Sequence, residues 1–485
     1  MKKILPWAVV TALTAFSCMK DGEAYYGYYD GGDAPDAALS GDRFDEIAEN
    51  PFVDAGEKPV STFSVDADGA AYAYMRRCVL QHGLLPSAHA VRIEEYLNYF
   101  TFDYPAPTVG KGVALNAEVG VCPWAREHRL MRLGIKGREL AADQVPQANF
   151  VFLIDISGSM SSTDKLPLLK TGLITMLDYM RPDDRVAIVT YASGEKLLLP
   201  STPVSEKETI VGAIRKLNAA GATSGARAMQ MAYDEAVKQY IEGANNRIIM
   251  GTDGDFNVGV TSTDALVEMV ENYAAKGIYL TVCGFGTGNL NDSMMERISN
   301  SGNGTYEYID SEEEMTKVFV NERSRFVAVA NDCKVQVTFN PEVVAQYRLI
   351  GYENRVMNQS DFDNDEKDAA EIGAGQTVTA LYEIVPAEKT EGTYATFDFR
   401  YKETLGGESI LLSHEIVSDG RDHSENFDFA AGIAAYGLTL RDSQYKGDAT
   451  ATLAAELVGA SIGTDPYGLR AQFKQILDTV VKMGR

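Results

Sequence analysis

Positive charge is what this 485-residue chain has least of: 44 Lys and Arg stand against 69 Asp and Glu, for a formal charge of -25 at pH 7. A field of that sign repels nucleic acid and anionic head groups, so neither is expected as a partner surface, while divalent cations concentrate nearby. Imidazole is scarce too. The five histidines, His82, His89, His128, His414 and His423, are scattered and form no H-E-x-x-H zinc-protease pattern. Cys78, Cys122, Cys283 and Cys333 lack the close pairs of zinc sites, a chain of this size needs no disulfide staples, and no catalytic thiol is expected. Beyond the leader, no apolar run approaches the length of a membrane span. What remains is ordinary globular usage, 45% hydrophobic and 9% aromatic, in a chain long enough for about two or three domains.

The leader is an address rather than part of a fold. Lys2 and Lys3 precede a mainly apolar stretch over 4–16, and Ala15-Phe16-Ser17 precedes Cys18. Residues 1–17 read as a lipoprotein signal peptide, with Cys18 as the lipidated first residue of the mature chain. A plain secretory peptide is the alternative, because Ala15 stands where leucine is most usual. Residues 18–58, rich at first in Gly, Asp, Ala and Tyr, read as a flexible acidic tether. Together these features place the protein in a bacterial cell envelope, held at the inner or the outer membrane by lipid.

The densest chemistry lies at Asp155, Ser157 and Ser159, with Asp155 at the end of the apolar run 150–156 and the two serines just beyond it. A continuous run of that kind is a buried parallel strand, and in doubly wound sheets ligands sit just beyond the carboxyl ends of such strands. The three oxygen side chains alternate, so a looped backbone aims them toward one point, with Gly158 permitting the tight turn. One carboxylate and two hydroxyls suit a hard cation such as Mg2+, which keeps several waters and takes few protein carboxylates. The competing reading is a serine-rich turn whose side chains satisfy neighbouring backbone amides.

Two later segments favour the cation. Gly221-Ala222-Thr223-Ser224-Gly225 joins two helical stretches, and a second apolar strand, 247–252, ends at Asp253. In this order the three motifs resemble the metal-ion-dependent adhesion site of von Willebrand factor type A domains. The resemblance implies direct ligation of Mg2+ or Mn2+ by Ser157, Ser159 and Thr223, with Asp155 and Asp253 acting mostly through bound water. It reaches past that domain. Ser61-Thr62-Phe63-Ser64-Val65-Asp66 and the segment 90–100 resemble the amino-terminal part of a family of bacterial A-domain lipoproteins, and 347–355 with 371–375 resemble its carboxyl-terminal part. Two departures stand out: Ala220-Gly221-Ala222-Thr223 replaces the family's G-G-S-T, and Gln376 replaces a histidine that often follows Gly-Ala-Gly.

Segments 150–155, 185–191, 247–252, 278–285 and 304–309 read as parallel strands, alternating with helices over 165–180, 206–217, 226–240 and 262–275 and followed by a last helix over 312–326. Segments 113–121, 130–135, 333–339, 376–384 and 393–401 alternate apolar with polar residues and read as antiparallel strands. The fold class is therefore α/β: a Rossmann-like A domain over 147–326 inserted in a β-rich body. That body consists of the flanks 59–146 and 327–485, the latter returning to helix after 427. Each flank has too few strands to close a sheet unaided, so their edges are expected to pair across the insertion.

Other motifs carry less. Gly284-Phe285-Gly286-Thr287-Gly288-Asn289 lacks the third glycine of a dinucleotide loop and reads as a surface turn. Asp361, Asp363 and Asp365 open like a calcium loop, but Glu366 replaces its glycine and Ile372 its glutamate, leaving an acidic solvated loop. Ser157 is not in a G-x-S-x-G elbow, and Asp255 is the nearest spare carboxylate, so no enzyme is expected. The expected function is divalent-metal-dependent binding of a protein ligand that presents an acidic side chain. The alternatives are an assembly factor acting through the flanking β regions and, from a different class, a hydrolase using the cation as Lewis acid.

Overall fold

The computed structural model describes residues 41–485 other than 142, 223, 224, 255–262, 366, 368, 390, 418–422 and 485. Cys18 and residues 1–17, expected to be a leader, therefore lie outside the described residues, as do Thr223 and Asp255.

The strands Ala148–Asp155 and Asn245–Thr252 are buried at every residue, as central strands covered on both faces must be. They sit side by side in a six-stranded sheet ordered Tyr306–Ile309, Ile278–Phe285, Asn245–Thr252, Ala148–Asp155, Arg185–Tyr191 and Glu195–Pro203. All neighbours are parallel except the last pair, where Glu195–Pro203 closes the edge antiparallel. That edge strand was not legible in the sequence, because its residues are only half-buried and carry no clean alternation. The doubly wound expectation holds. The last helix does not run unbroken over 312–326: an α-turn Glu312–Thr316 passes into a π-turn Lys317–Asn321 and then a 3-10 turn Arg323–Phe326. The wider turn brings Glu322 to 3.2 Å from the buried Lys317 ammonium, which also lies 3.5 Å from Glu314 and faces the Tyr99 ring. Ionic satisfaction of a buried lysine has overridden regular helix geometry.

The flanks pair across the insertion. Arg129–Gly137 lies antiparallel to Thr377–Pro386, with Lys136 opposite Thr377 and Arg129 opposite Ile384. Their sheet runs Val53–Asp54, Val344–Ile350, Thr377–Pro386, Arg129–Gly137, Val113–Val121. A second sheet contains Ile372–Gly373, Ala328–Phe339, Thr393–Lys402 and Ser409–Val417, and Val60–Ser64 also pairs with Ala328–Phe339. Residues from both sheets, including Phe63, Val335, Phe339, Tyr347, Tyr382, Phe397 and Phe399, share one core. Helices Glu425–Leu440, Ala451–Ala460 and Leu469–Lys482 form another core with Ile93–Asn98, Trp124 and Tyr72.

Residues 41–58, expected to be the end of a flexible tether, are instead fixed. Val53 and Asp54 pair with Tyr347 and Gln346, and the Asp42 carboxylate accepts hydrogen bonds from the amides of Gly288 and Leu290 at 2.7 and 3.0 Å. A free sheet edge and two open amides supply partners that composition does not reveal.

The boundary at residue 146 is also crossed by packing. Helix Ala70–Arg77 belongs to the amino-terminal flank, yet Ala70, Ala73 and Tyr74 join the core on one face of the α/β sheet, beside Tyr306 and Tyr308. Buried ion pairs reinforce that contact. Arg76 grips Asp310 with two nitrogens and reaches Glu314 at 2.8 Å; Arg92 bonds Asp292 at 2.6 and 3.2 Å; Arg355 bonds Asp66 and Asn300, both at 2.8 Å. Cys78, Cys122, Cys283 and Cys333 are buried free thiols.

Candidate metal centre

Asp155 ends one central strand, and Asp253 follows the end of its parallel neighbour, so sheet register alone sets the two carboxylates on one rim. Both are fully buried. After Asp155 the chain leaves the sheet through a tight turn. The Ser157 amide donates to Asp155 Oδ1 at 2.8 Å, and a 3-10 turn Gly158–Ser161 follows. This turn brings the Ser157 and Ser159 hydroxyl oxygens to 2.9 Å from each other. Ser157 is buried and Ser159 is exposed, so the paired hydroxyls form the mouth of the site. Thr252 closes its floor, with its hydroxyl 3.5 Å from Asp155 Oδ2 and accepting from the Gly254 amide at 3.2 Å.

The loop leading to Thr223 docks onto the same turn. Gly158 N donates to Gly221 O at 3.0 Å, Ala220 N to Ile156 O at 2.7 Å, and Ala222 N to Ser193 Oγ at 3.1 Å. Gly221 sits at φ +91, and a Cβ there would stand 2.4 Å from Ser193 Oγ, so no larger residue fits this approach. Ala222, where the family pattern has serine, is exposed and leaves the backbone contacts of the loop intact. Thr223 itself is outside the described residues.

The structure adds two groups that sequence reasoning did not assign to the site. The Lys165 ammonium lies 3.0 Å from Asp253 Oδ2 and 3.3 Å from Asn289 Oδ1. Asn289 belongs to the turn that the sequence reduced to a surface feature; it serves the site because the strand Ile278–Phe285 ends beside Asn245–Thr252. A lysine following an Asp-x-Ser-x-Ser loop was a legible signal only if its side chain turned inward, which Gly286 allows. At φ +74, a Cβ on Gly286 would lie 2.0 Å from Lys165 Cε. Burial works to raise the Asp253 carboxyl, but the Lys165 charge and hydrogen bonds from Lys165, Ser159 and Asn289 outweigh it and hold the group below the usual range. Burial, then the charges of Asp155 and Asp253, push the Tyr191 hydroxyl well above its ordinary value, so it stays neutral beside them.

Among the described residues no group of three or more His, Cys, Asp or Glu side chains is arranged to hold a metal ion. The donor set at the rim, two converging hydroxyls with a carboxylate on either side, fits a small hard cation that retains water.

A doubly wound sheet with paired hydroxyls and aspartates at its carboxyl rim defines a von Willebrand factor type A domain, and the family model of that description matches residues 149–321. The flanks have their own matches: a model described as von Willebrand factor over 38–132, and one described as Uncharacterized protein YfbK, C-terminal over 324–396 and 387–483. The chain is 36% identical over 464 residues to "Uncharacterized protein YfbK" of Escherichia coli (strain K12), covering 90% of this chain and 80% of that protein. It therefore belongs to the YfbK family. A more distant likeness, 26% over 192 residues, is to "Uncharacterized protein sll0103" of Synechocystis, covering 39% of this chain and 44% of that one. Among solved structures, a von Willebrand factor type A protein from Catenulispora acidiphila is similar at 16% identity and a TM-score of 0.43, covering 72% of this chain and 87% of that chain.

Proposed function

We propose that the protein binds one Mg2+ or Mn2+ ion at Asp155, Ser157, Ser159, Thr223 and Asp253 and uses it to capture an acidic side chain of a protein ligand. A von Willebrand factor type A domain supports protein–protein interaction or adhesion as the general class of activity. The observation that carries the finer reading is the 2.9 Å approach of the Ser157 and Ser159 hydroxyls at a strand-end rim flanked by two buried aspartates. Such a shell leaves a divalent ion with open coordination positions facing solvent, where an incoming carboxylate gains strong electrostatic stabilisation. When bound, the ion supplies that attraction. The chain's own residues set the geometry: Asp155 holds the turn through the Ser157 amide, and Ala220 and Gly221 dock against that turn through backbone hydrogen bonds. Binding is favoured over catalysis because Lys165 already engages Asp253 and, among the described residues, the Ser157 hydroxyl pairs with the Ser159 hydroxyl and with no histidine.

Calorimetry with Mn2+ on the mature chain tests this reading. Mn2+ is expected to bind and raise the melting temperature, and Asp155→Ala is expected to abolish both effects while leaving the circular dichroism spectrum in place. No heat and no melting shift at millimolar ion would reduce the turn to a structural motif.

The same reading places the protein in the envelope, with lipid on Cys18 as its anchor. Motivation comes from the charged start, the apolar run and the cysteine at its end. Cys18→Ser should release the protein from the membrane fraction and abolish fatty-acid labelling; unchanged fractionation and labelling would refute the anchor.

A further inference from the structure

Lys165 is the charged group at the rim that ligand capture by the ion leaves without a role. It stands at the end of the Asp155 turn, immediately before the helix Leu166–Leu177. A lysine at such a position is ordinarily solvated, because taking an ammonium out of water is costly unless an anion compensates. This one has a side chain only 10% exposed, laid over Gly286, and it ends 3.0 Å from the fully buried Asp253 carboxylate. Its second partner is fixed from outside the sheet. Asp42 accepts from the amides on either side of Asn289, at Gly288 and Leu290, and so presents Asn289 Oδ1 to the ammonium at 3.3 Å. Three separate segments thus aim one positive charge at a carboxylate of the candidate ion site.

Among the described residues of the rim, Asp155, Asp253 and Lys165 together carry one net negative charge. We infer that Lys165 is a built-in counter-cation that weakens binding of the divalent ion alone and couples it to the arrival of an anionic ligand. The inference rests on the metal-binding reading above. An ion entering beside Asp253 meets an ammonium already held on that carboxylate and turns the rim net positive; a ligand carboxylate then restores neutrality. Without Lys165 the two aspartates neutralise the ion by themselves, and an added carboxylate creates an uncompensated negative charge. Lys165 therefore selects the charge of the ligand, and its ammonium must be displaced or screened for tight ion binding. Unit charges a few ångströms apart near a protein surface interact strongly enough that removing the ammonium should tighten Mn2+ binding at least ~10-fold.

The test is Mn2+ titration of the full mature chain by calorimetry, with and without acetate as the carboxylate probe, for wild type, Lys165→Met and Lys165→Arg. Wild type should bind Mn2+ more tightly when acetate is present. Lys165→Met should bind Mn2+ alone at least ~10-fold tighter than wild type and lose the acetate enhancement, while Lys165→Arg, which keeps the charge, should behave like wild type. A merely structural lysine would not change the coupling between ion and acetate. Equal Mn2+ affinity in wild type and Lys165→Met, or an acetate enhancement that survives in Lys165→Met, overturns the inference while leaving the metal site standing. Absence of Mn2+ binding in all three removes the metal reading and the inference together. Should Lys165→Met lose its circular dichroism spectrum, Lys165→Gln serves instead: it also removes the ammonium charge and should tighten Mn2+ binding in the same direction, and an unchanged affinity overturns the inference.

Discussion

Replacing Arg76 by methionine should destabilise the whole protein by about 3 kcal/mol, because it strands two buried carboxylates in an interface that joins three parts of the chain. The guanidinium side chain is 5% exposed. It donates to Asp310 through two nitrogens, to Glu314 at 2.8 Å and to the Tyr99 hydroxyl at 2.6 Å. Breaking a buried ion pair from one side costs roughly 3–5 kcal/mol, since the remaining charge loses its compensation without regaining water. The lower end applies here because Glu314 keeps Lys317 at 3.5 Å and the Tyr99 hydroxyl at 2.6 Å. Urea unfolding provides the assay, read in parallel by circular dichroism and tryptophan fluorescence. Of the two tryptophans in the sequence, Trp124 is buried in the helical core of the flanks, and protein spanning 18–485 lacks Trp7, so its fluorescence reports through Trp124. Arg76→Met should move both signals together to lower urea. A double-mutant cycle with Asp310→Asn should show a coupling of at least ~1 kcal/mol. A loss below ~1 kcal/mol, or a circular dichroism transition that shifts while Trp124 fluorescence does not, would refute the idea that these charges weld the flank to the A domain.

Two further outcomes follow from the same interior. Burial, and next the charge of Glu353, push the Glu94 carboxyl up to about 7 from its ordinary 4.5, so the folded protein holds this proton more tightly than the unfolded chain does. The stability it contributes is therefore present at acid pH and lost as pH rises from about 4.5 through 7, by up to ~3 kcal/mol; Glu94→Gln should flatten melting temperature over that interval, and an unchanged slope would show that Glu94 is not the group responsible. Excising residues 147–326 and joining the ends should leave Arg129–Gly137 able to pair with Thr377–Pro386 but should uncover Ala70, Ala73 and Tyr74, take Asp310 and Glu314 from Arg76, and leave Arg92 with Glu95 but without Asp292. The excised body is expected to bind a hydrophobic dye and to lose cooperative melting; a sharp transition by calorimetry would show that the flanks fold without the A domain.

Much of the α/β sheet was legible in the sequence because its central strands are apolar at consecutive positions and end in aspartate, a pattern that parallel burial and strand-end chemistry dictate locally. Asp155, Ser157 and Ser159 could be placed together from their spacing alone, since the turn that converges them is made by neighbours. The pairing of Arg129–Gly137 with Thr377–Pro386 was anticipated in kind, because neither flank holds enough strands, though its register required the structure. Lys165 and Asn289 escaped notice. Nothing in a lone lysine says whether it turns to water or inward, and that choice is made by Gly286, Asp42 and Asp253, which come from three distant segments. The irregular turn at Lys317 was hidden for the same reason: helical periodicity is written in adjacent residues, whereas the charges that distort it meet only after the chain has folded. Strand type and strand-end chemistry are local properties that the amino-acid order sets by itself. The anchoring of residues 41–58, the helix Ala70–Arg77 laid across the sheet and the ammonium beside Asp253 were decided by tertiary structure, because each depends on satisfying a buried charge or an open backbone edge with a group far away in sequence.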